Sequence, residues 1–168
     1  AKLKNEINGS ASHPEGGFTA SNMDSNSYRK GLETRINYNI NRYSDASISY
    51  DYVDSTQYNS STENQQAEVR RPRNLININY NNNFFNNLSI NSNIFYSSKV
   101  KDTDFSSYPY QNVYMSSYFL FNTTLNYDID SKNKVSLIFK NIFNREYNVV
   151  NDFNTPGFEV LINYRNNF

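Results

Sequence analysis

A chain of 168 residues is long enough for one ordinary domain, yet a mean hydropathy of −0.80 and a 37% hydrophobic share leave too little apolar matter for a soluble core of that size. The same inventory argues against simple disorder, because 15 Tyr and 12 Phe raise the aromatic share to 16% and disordered chains are poor in large rings. With no Cys, disulfides, thiolate metal sites and thiol nucleophiles are ruled out, and a formal net charge of +0 gives no global attraction to nucleic acid.

Taken in order, residues 2–8 form a weak strand candidate, and the Gly-, Ser- and Pro-containing stretch 9–25 has no period and reads as a long loop. Residues 28–40 alternate, with Thr34, Ile36, Tyr38 and Ile40 opposite Glu33, Arg35, Asn37 and Asn39. A brief turn at 42–45 leads to Ala46, Ile48, Tyr50 and Tyr52 against Ser47, Ser49 and Asp51, and the polar residues 57–68 read as a second long loop. The run RRPR at 70–73 opens a strand through Ile76, Ile78 and Tyr80, and an Asn-rich turn at Asn82 and Asn83 passes the chain to Leu88, Ile90, Ile94 and Tyr96. Residues 101–114 read as a third loop. Phe119, Phe121, Leu125 and Tyr127 follow, then the turn DSKN at 130–133, then Val135, Leu137 and Phe139. A fourth loop at 148–155 precedes the last strand, 156–168, where Phe158, Val160, Ile162, Tyr164 and Phe168 share one face and Glu159, Asn163, Arg165 and Asn167 the other.

The count is about eight strands whose connections alternate strictly between long and short. No stretch of about 18 apolar residues is present to make a transmembrane helix. Alternating strands with polar inner positions, uncharged outer positions and one-sided long loops predict an all-β, antiparallel transmembrane barrel in which lipid replaces the missing core. The polar face, dominated by Asn and Ser, predicts water or another protein segment inside. The opening AKLKNEIN carries no initiator Met, basic region or apolar run, so the chain is expected to be a piece of something longer.

Several stretches bear a family resemblance. NIFNREY at 141–147 and KGLE at 30–33 resemble motifs of TonB-dependent outer-membrane transporters. DTDFSSYPYQNVYM at 102–115, SYDYVDS at 49–55 and the pair Arg70 and Arg71 resemble, in composition and order, the cobalamin receptors within that family. The terminal Tyr164 and Phe168 resemble the aromatic signal read by the barrel-assembly machinery. The resemblance covers the chain from about residue 29 onward. It implies that residues 1–168 are the C-terminal portion of a barrel of about 22 strands with a plug inside, so that these are its last eight or so. It also implies import of a corrinoid, driven by TonB through the plug, in a bacterial outer membrane. For the ligand it implies contacts from Arg70 and from Phe105, which stands where those receptors carry Tyr.

The residues themselves add chemistry to those positions. Arg70 offers a planar set of donors for amides or a phosphate, and Tyr108 and Tyr110 offer flat faces for stacking on a large ring. Rim arginines also suit lipid head-group phosphates, and tyrosines near loops also suit the membrane girdle. Catalysis is not expected. His13 is the only histidine and lies in a loop, and no Gly-rich phosphate loop is present. The acid pairs Asp102 with Asp104 and Asp128 with Asp130 could bind calcium, but two carboxylates without further spaced oxygen ligands are weak evidence for such a site. Two alternatives remain at this point: a receptor of the same family for a ferric siderophore, and a self-contained eight-stranded porin or adhesin.

Overall fold

Alternation along each strand decides which side chains share a face, and the register between strands then lines them into rows. The computed structural model describes residues 1–4, 7–12, 15–22, 26–59, 63–106 and 108–167. Among these the strands are β1 (Lys2–Leu3), β2 (Ile7–Ser12), β3 (Phe18–Asn22), β4 (Ser27–Asn41), β5 (Ser44–Asn59), β6 (Asn64–Ala67) and β7 (Asn74–Phe85). They continue as β8 (Leu88–Ser97), β9 (Val100–Asp104), β10 (Gln111–Met115), β11 (Tyr118–Asp128), β12 (Asn133–Lys140) and β13 (Glu159–Asn166). One antiparallel sheet runs in the order β1-β4-β5-β7-β8-β11-β12-β13, with β6 added beside the far end of β5. Eight strands therefore follow one another as a meander. Short turns join β4 to β5, β7 to β8 and β11 to β12 at one end, the turn end, and every longer connection lies at the other, the loop end.

Ile36, Ile48, Ile78, Ile94 and Phe121 stand directly opposite one another across β4, β5, β7, β8 and β11, and form an unbroken apolar row on one face. Nearer the turn end, Ile90, Leu125, Leu137 and Ile162 form another across β8 to β13, and Leu88, Tyr127, Val135 and Tyr164 a third. The apolar band thus steps toward the turn end on passing from β4 to β13, as strands tilted within a flat hydrocarbon layer require. Ile36, Ile48, Ile78, Ile94, Val160, Ile162 and Tyr164 are all exposed, Ile162 at 74%. Met115 is the only buried apolar side chain among the described residues. This is a single-layer wall, and among the described residues its apolar face has no protein partner.

The opposite face is stitched by amides. Asn79 Nδ2 donates to Ser47 Oγ at 3.2 Å, Asn93 Nδ2 to Asn79 Oδ1 at 2.9 Å and Asn122 Nδ2 to Asn93 Oδ1 at 3.4 Å. One row below, Asn81 donates to Asp45 Oδ2, Asn91 to Asn81 Oδ1 and Asn126 to Asn91 Oδ1, each at 2.8 Å, and Ser136 Oγ donates to Asn126 Oδ1 at 2.7 Å. Asparagine suits this role because its one side-chain group both donates and accepts, so identical residues join head to tail across strands.

Three stretches expected to be loops contain strands. The 9–25 stretch holds most of the β2–β3 hairpin, residues 57–68 hold β6 paired to the end of β5, and 101–114 hold the β9–β10 hairpin. Their sequences are polar on both faces, so pairing by backbone hydrogen bonds alone left no alternating pattern to read. The weak strand over 2–8 reduces to Lys2–Leu3 on β4, and Ile7 belongs to the next hairpin. KGLE lies within β4 rather than at its start. There Gly31 is required by close approach, because a Cβ would meet the Tyr52 carbonyl oxygen at 2.9 Å.

Candidate ligand site at the loop end

Arg70 lies in the link between β6 and β7 with φ of +59°, a left-handed backbone uncommon outside glycine. Two contacts to β9 hold it there. Its N–H donates to the Lys101 carbonyl at 2.8 Å, and its Nε donates to Asp102 Oδ1 at 2.9 Å. Asp102 is fully buried, at 0% exposure. Its Oδ1 also accepts the Thr103 N–H at 2.8 Å, and its Oδ2 accepts the Asn151 N–H at 2.8 Å. Burial pushes the Asp102 carboxyl upward, but the Asn151 and Thr103 N–H groups and the Arg70 guanidinium outweigh it and hold the group below its ordinary value. A single carboxylate thereby ties together the β5–β7 link, the β9–β10 hairpin and the β12–β13 loop.

A second buried carboxylate stands on the same side. Glu68 receives Arg29 Nη2 at 2.7 Å and Arg71 Nε at 2.7 Å, so two guanidinium groups share one acid. Arg73 Nη2 reaches Asp54 Oδ1 at 2.7 Å, and Lys101 Nζ donates to Gln66 Oε1 at 2.7 Å. The three arginines of the RRPR run are therefore all paired. Arg70 differs from the other two in its acid, which belongs to another loop and is completely buried. Its own side chain is 45% exposed, and its two Nη groups make no further hydrogen bond among the described residues.

The β9–β10 hairpin ends in rings. Phe105 and Tyr110 meet edge to face with centroids 5.0 Å apart, and Tyr108 meets Tyr110 in the same way at 5.7 Å. All three are exposed, Tyr108 at 88%. Such a cluster presents aromatic faces whose positions are fixed by one another.

NIFNREY shapes the last loop. Asn141 and Asn144 both have φ of +48°, and Asn141 is buried. Asn141 Oδ1 accepts the Arg145 N–H at 2.8 Å, its Nδ2 donates to the Arg145 carbonyl at 2.9 Å, and its own N–H donates to Asn122 Oδ1 at 2.9 Å. Asn144 Oδ1 accepts the Phe158 N–H at 2.9 Å. Asparagine tolerates the left-handed backbone and supplies these bonds at once. Tyr147 then packs against Tyr118 with ring centroids 4.5 Å apart and planes tilted by 33°. An open cavity of about 370 Å³ lies there, lined by Met115, Tyr118, Arg145, Tyr147 and Asn151 among others.

Of the four residues expected to touch ligand, Phe105, Tyr108 and Tyr110 thus form one cluster. Arg70 sits at the base of the same hairpin, bound to Asp102 three residues before Phe105. Its planar set of donors is partly used, since Nε serves Asp102 and only the Nη groups remain. Asp102 and Asn151 were not foreseen as partners. They lie 49 residues apart, and no spacing rule links a loop carboxylate to a backbone N–H in another loop. Tyr164 stands on the apolar face with its hydroxyl donating to Asn133 Oδ1 at 2.5 Å, while Phe168 and His13 fall outside the described residues.

A single-layer antiparallel meander with an apolar face, an amide-lined face and all long loops at one end is a wall segment of an outer-membrane-type β-barrel. Among solved structures, the chain is similar to the barrels of uptake receptors. The siderophore receptor PirA from Acinetobacter baumannii is 14% identical with a TM-score of 0.74, over 99% of this chain and 28% of that one. The ferripyoverdine receptor of the outer membrane of Pseudomonas aeruginosa is 14% identical with a TM-score of 0.71, over 94% and 21%. The ferric-catecholate import receptor Fiu from E. coli K12 is 13% identical with a TM-score of 0.68, over 98% and 24%. The chain therefore spans between a fifth and under a third of the length of these receptors. No protein-family model matches the sequence, and no curated protein matches it.

Proposed function

We propose that residues 1–168 are the C-terminal portion of the barrel of a TonB-dependent receptor in the bacterial outer membrane, which imports a large chelate. The observation that carries this reading is the loop end: an arginine with free Nη donors at the base of a hairpin tipped by three exposed rings, mounted on a barrel wall. Aromatic faces give a large flat ligand contact area at little entropic cost, and the guanidinium serves amides or a phosphate. Cobalamin presents all of these, and the DTDFSSYPYQ stretch that resembles the cobalamin receptors is the hairpin that carries the rings. The ring of Phe105 keeps its contact but brings no hydroxyl. TonB acts through a plug held against the amide-lined wall, lipid covers the apolar rows, and Tyr164 and Phe168 address the barrel-assembly machinery.

A second reading is import of a ferric siderophore, favoured by the similarity to receptors for such chelates. Catecholate and hydroxamate chelates also suit arginine and tyrosine. Equilibrium binding of cyanocobalamin and of ferric siderophores to the full-length receptor in outer-membrane vesicles separates the two. Saturable binding of cyanocobalamin that weakens in Tyr108→Ala supports the corrinoid reading, whereas binding of siderophores alone replaces it. Binding of neither removes the uptake reading.

A further inference from the structure

The geometry points to Asp102 as a positioning residue for ligand capture: it holds three outer loops as one unit and fixes Arg70 with its Nη groups free for an anionic or amide group of the chelate. The inference deepens the uptake reading and rests on it. Three observations converge. Asp102 is fully buried in a hairpin of polar residues, where a carboxylate needs several donors to stay charged, and it has them from three different loops. Arg70 adopts a left-handed backbone that its contacts to Lys101 and Asp102 enforce, so its side chain leaves the link in one direction. Bonding through Nε alone leaves the two Nη groups, a pair suited to a forked acceptor, at the end of an Arg70 side chain that is itself 45% exposed.

The consequence reaches beyond Arg70. The Asn151 N–H is anchored to the other oxygen of the same carboxylate, and Asn151 lines the cavity beneath Tyr147. A ligand that settles on Arg70 and the rings therefore stiffens the β12–β13 loop without touching it. Asp102→Asn keeps the shape, but it aims an NH2 group at one of three donors and withdraws the charge opposite Arg70.

The test uses the full-length receptor in outer-membrane vesicles with cyanocobalamin, a ferric catecholate and a ferric hydroxamate as probes. It measures the Kd of wild type, Arg70→Ala, Asp102→Asn and the double variant for whichever probe binds, together with hydrogen exchange at the Asn151 amide. Heat-resistant migration on gels reports folding. Expected are a Kd raised about tenfold or more by each single change, a double variant no more than about twofold weaker than the worse single one, and slower Asn151 exchange on binding that is lost in Asp102→Asn. Wild-type affinity in Asp102→Asn overturns the assignment alone, as do additive effects of the two changes. Failure of wild type to bind any of the three probes overturns the uptake reading and the assignment with it. Should Asp102→Asn not fold, Asp102→Glu is read in its place, since the extra methylene keeps the charge and displaces Arg70.

Discussion

The wall and the loop end of this chain solve the problem of a missing core in opposite ways. In the wall, apolar side chains stay exposed in rows and polar ones bond to each other as neutral amides across strands. At the loop end, carboxylates are buried instead: Asp102 and Glu68 are enclosed and receive guanidinium and N–H donors from separate segments. The first arrangement depends on its solvent, because lipid must cover one face. The second depends on particular partners. Substitutions should therefore act by face in the wall and by individual bond at the loop end.

The largest effect tests the wall. Ile78 and Asn79 are neighbours on β7 that point to opposite faces, Ile78 into the apolar row and Asn79 into the amide ladder. Ile78→Arg is expected to cost about 2–4 kcal/mol, the expense of a cation on the lipid side near the bilayer centre. Asn79→Arg replaces amide bonds on the polar side with a solvated cation and is expected to cost under about 1 kcal/mol. Denaturant unfolding of the full-length receptor in lipid vesicles measures both. Equal losses would mean that the two faces do not differ as described.

The next effect tests the loop end through one residue. Asn141→Ala removes two side-chain bonds to Arg145 and places alanine at φ of +48°, so a loss of about 2 kcal/mol is expected, read as protease sensitivity of the 141–158 segment. Asn141→Gly keeps the backbone and loses only the bonds, and should fall between wild type and Asn141→Ala. The wall was legible in the sequence because each strand repeats one rule every second residue, so Ile76, Ile78 and Tyr80 announce their own face. Asn141 was legible only through a resembling motif, and Asp102 was visible as an acid in a loop without its role. A bond between Asp102 and Asn151 depends on how two distant loops fold over the rim, and neither loop carries an apolar repeat. The β9–β10 hairpin escaped notice for the same reason: Lys101, Asp102 and Thr103 are polar on both faces.

A smaller effect isolates one contact. A Cβ at Gly157 would lie 2.5 Å from Asn144 Oδ1, the atom that accepts the Phe158 N–H. In Gly157→Ala the asparagine must swing away and give up that bond, so about 1 kcal/mol is lost, confined to the entry into β13. Hydrogen exchange at the Phe158 amide should rise while the Val160 and Ile162 amides, deeper in β13, keep their protection. Faster exchange along all of β13 would tie the loop end to the wall more tightly than the contrast between them allows.

Acid separates the two regions without any substitution. Asp102 at the loop end has a lowered carboxyl pKa, as burial is outweighed by donors from Asn151, Thr103 and Arg70. Asp130 in the turn between β11 and β12 is lowered by the Asn133 side chain and the Lys132 and Asn133 N–H groups. A carboxyl held below its unfolded value of about 3.9 contributes stability that is fully present above that value and lost as pH falls through the lower, folded one. Both knots should therefore persist at pH 5 and open only in more acid solution. Protonated Asp102 releases the Asn151 N–H, and protonated Asp130 releases the Lys132 N–H, so exchange at these two amides should be promoted in that window relative to the intrinsic rate. The ladder from Ser47 through Asn79 and Asn93 to Asn122 contains no titratable group, and its strands should stay protected throughout. Loss of protection in β7 and β8 over the same pH range would show that the wall leans on the charged rim, and the division between them would fail.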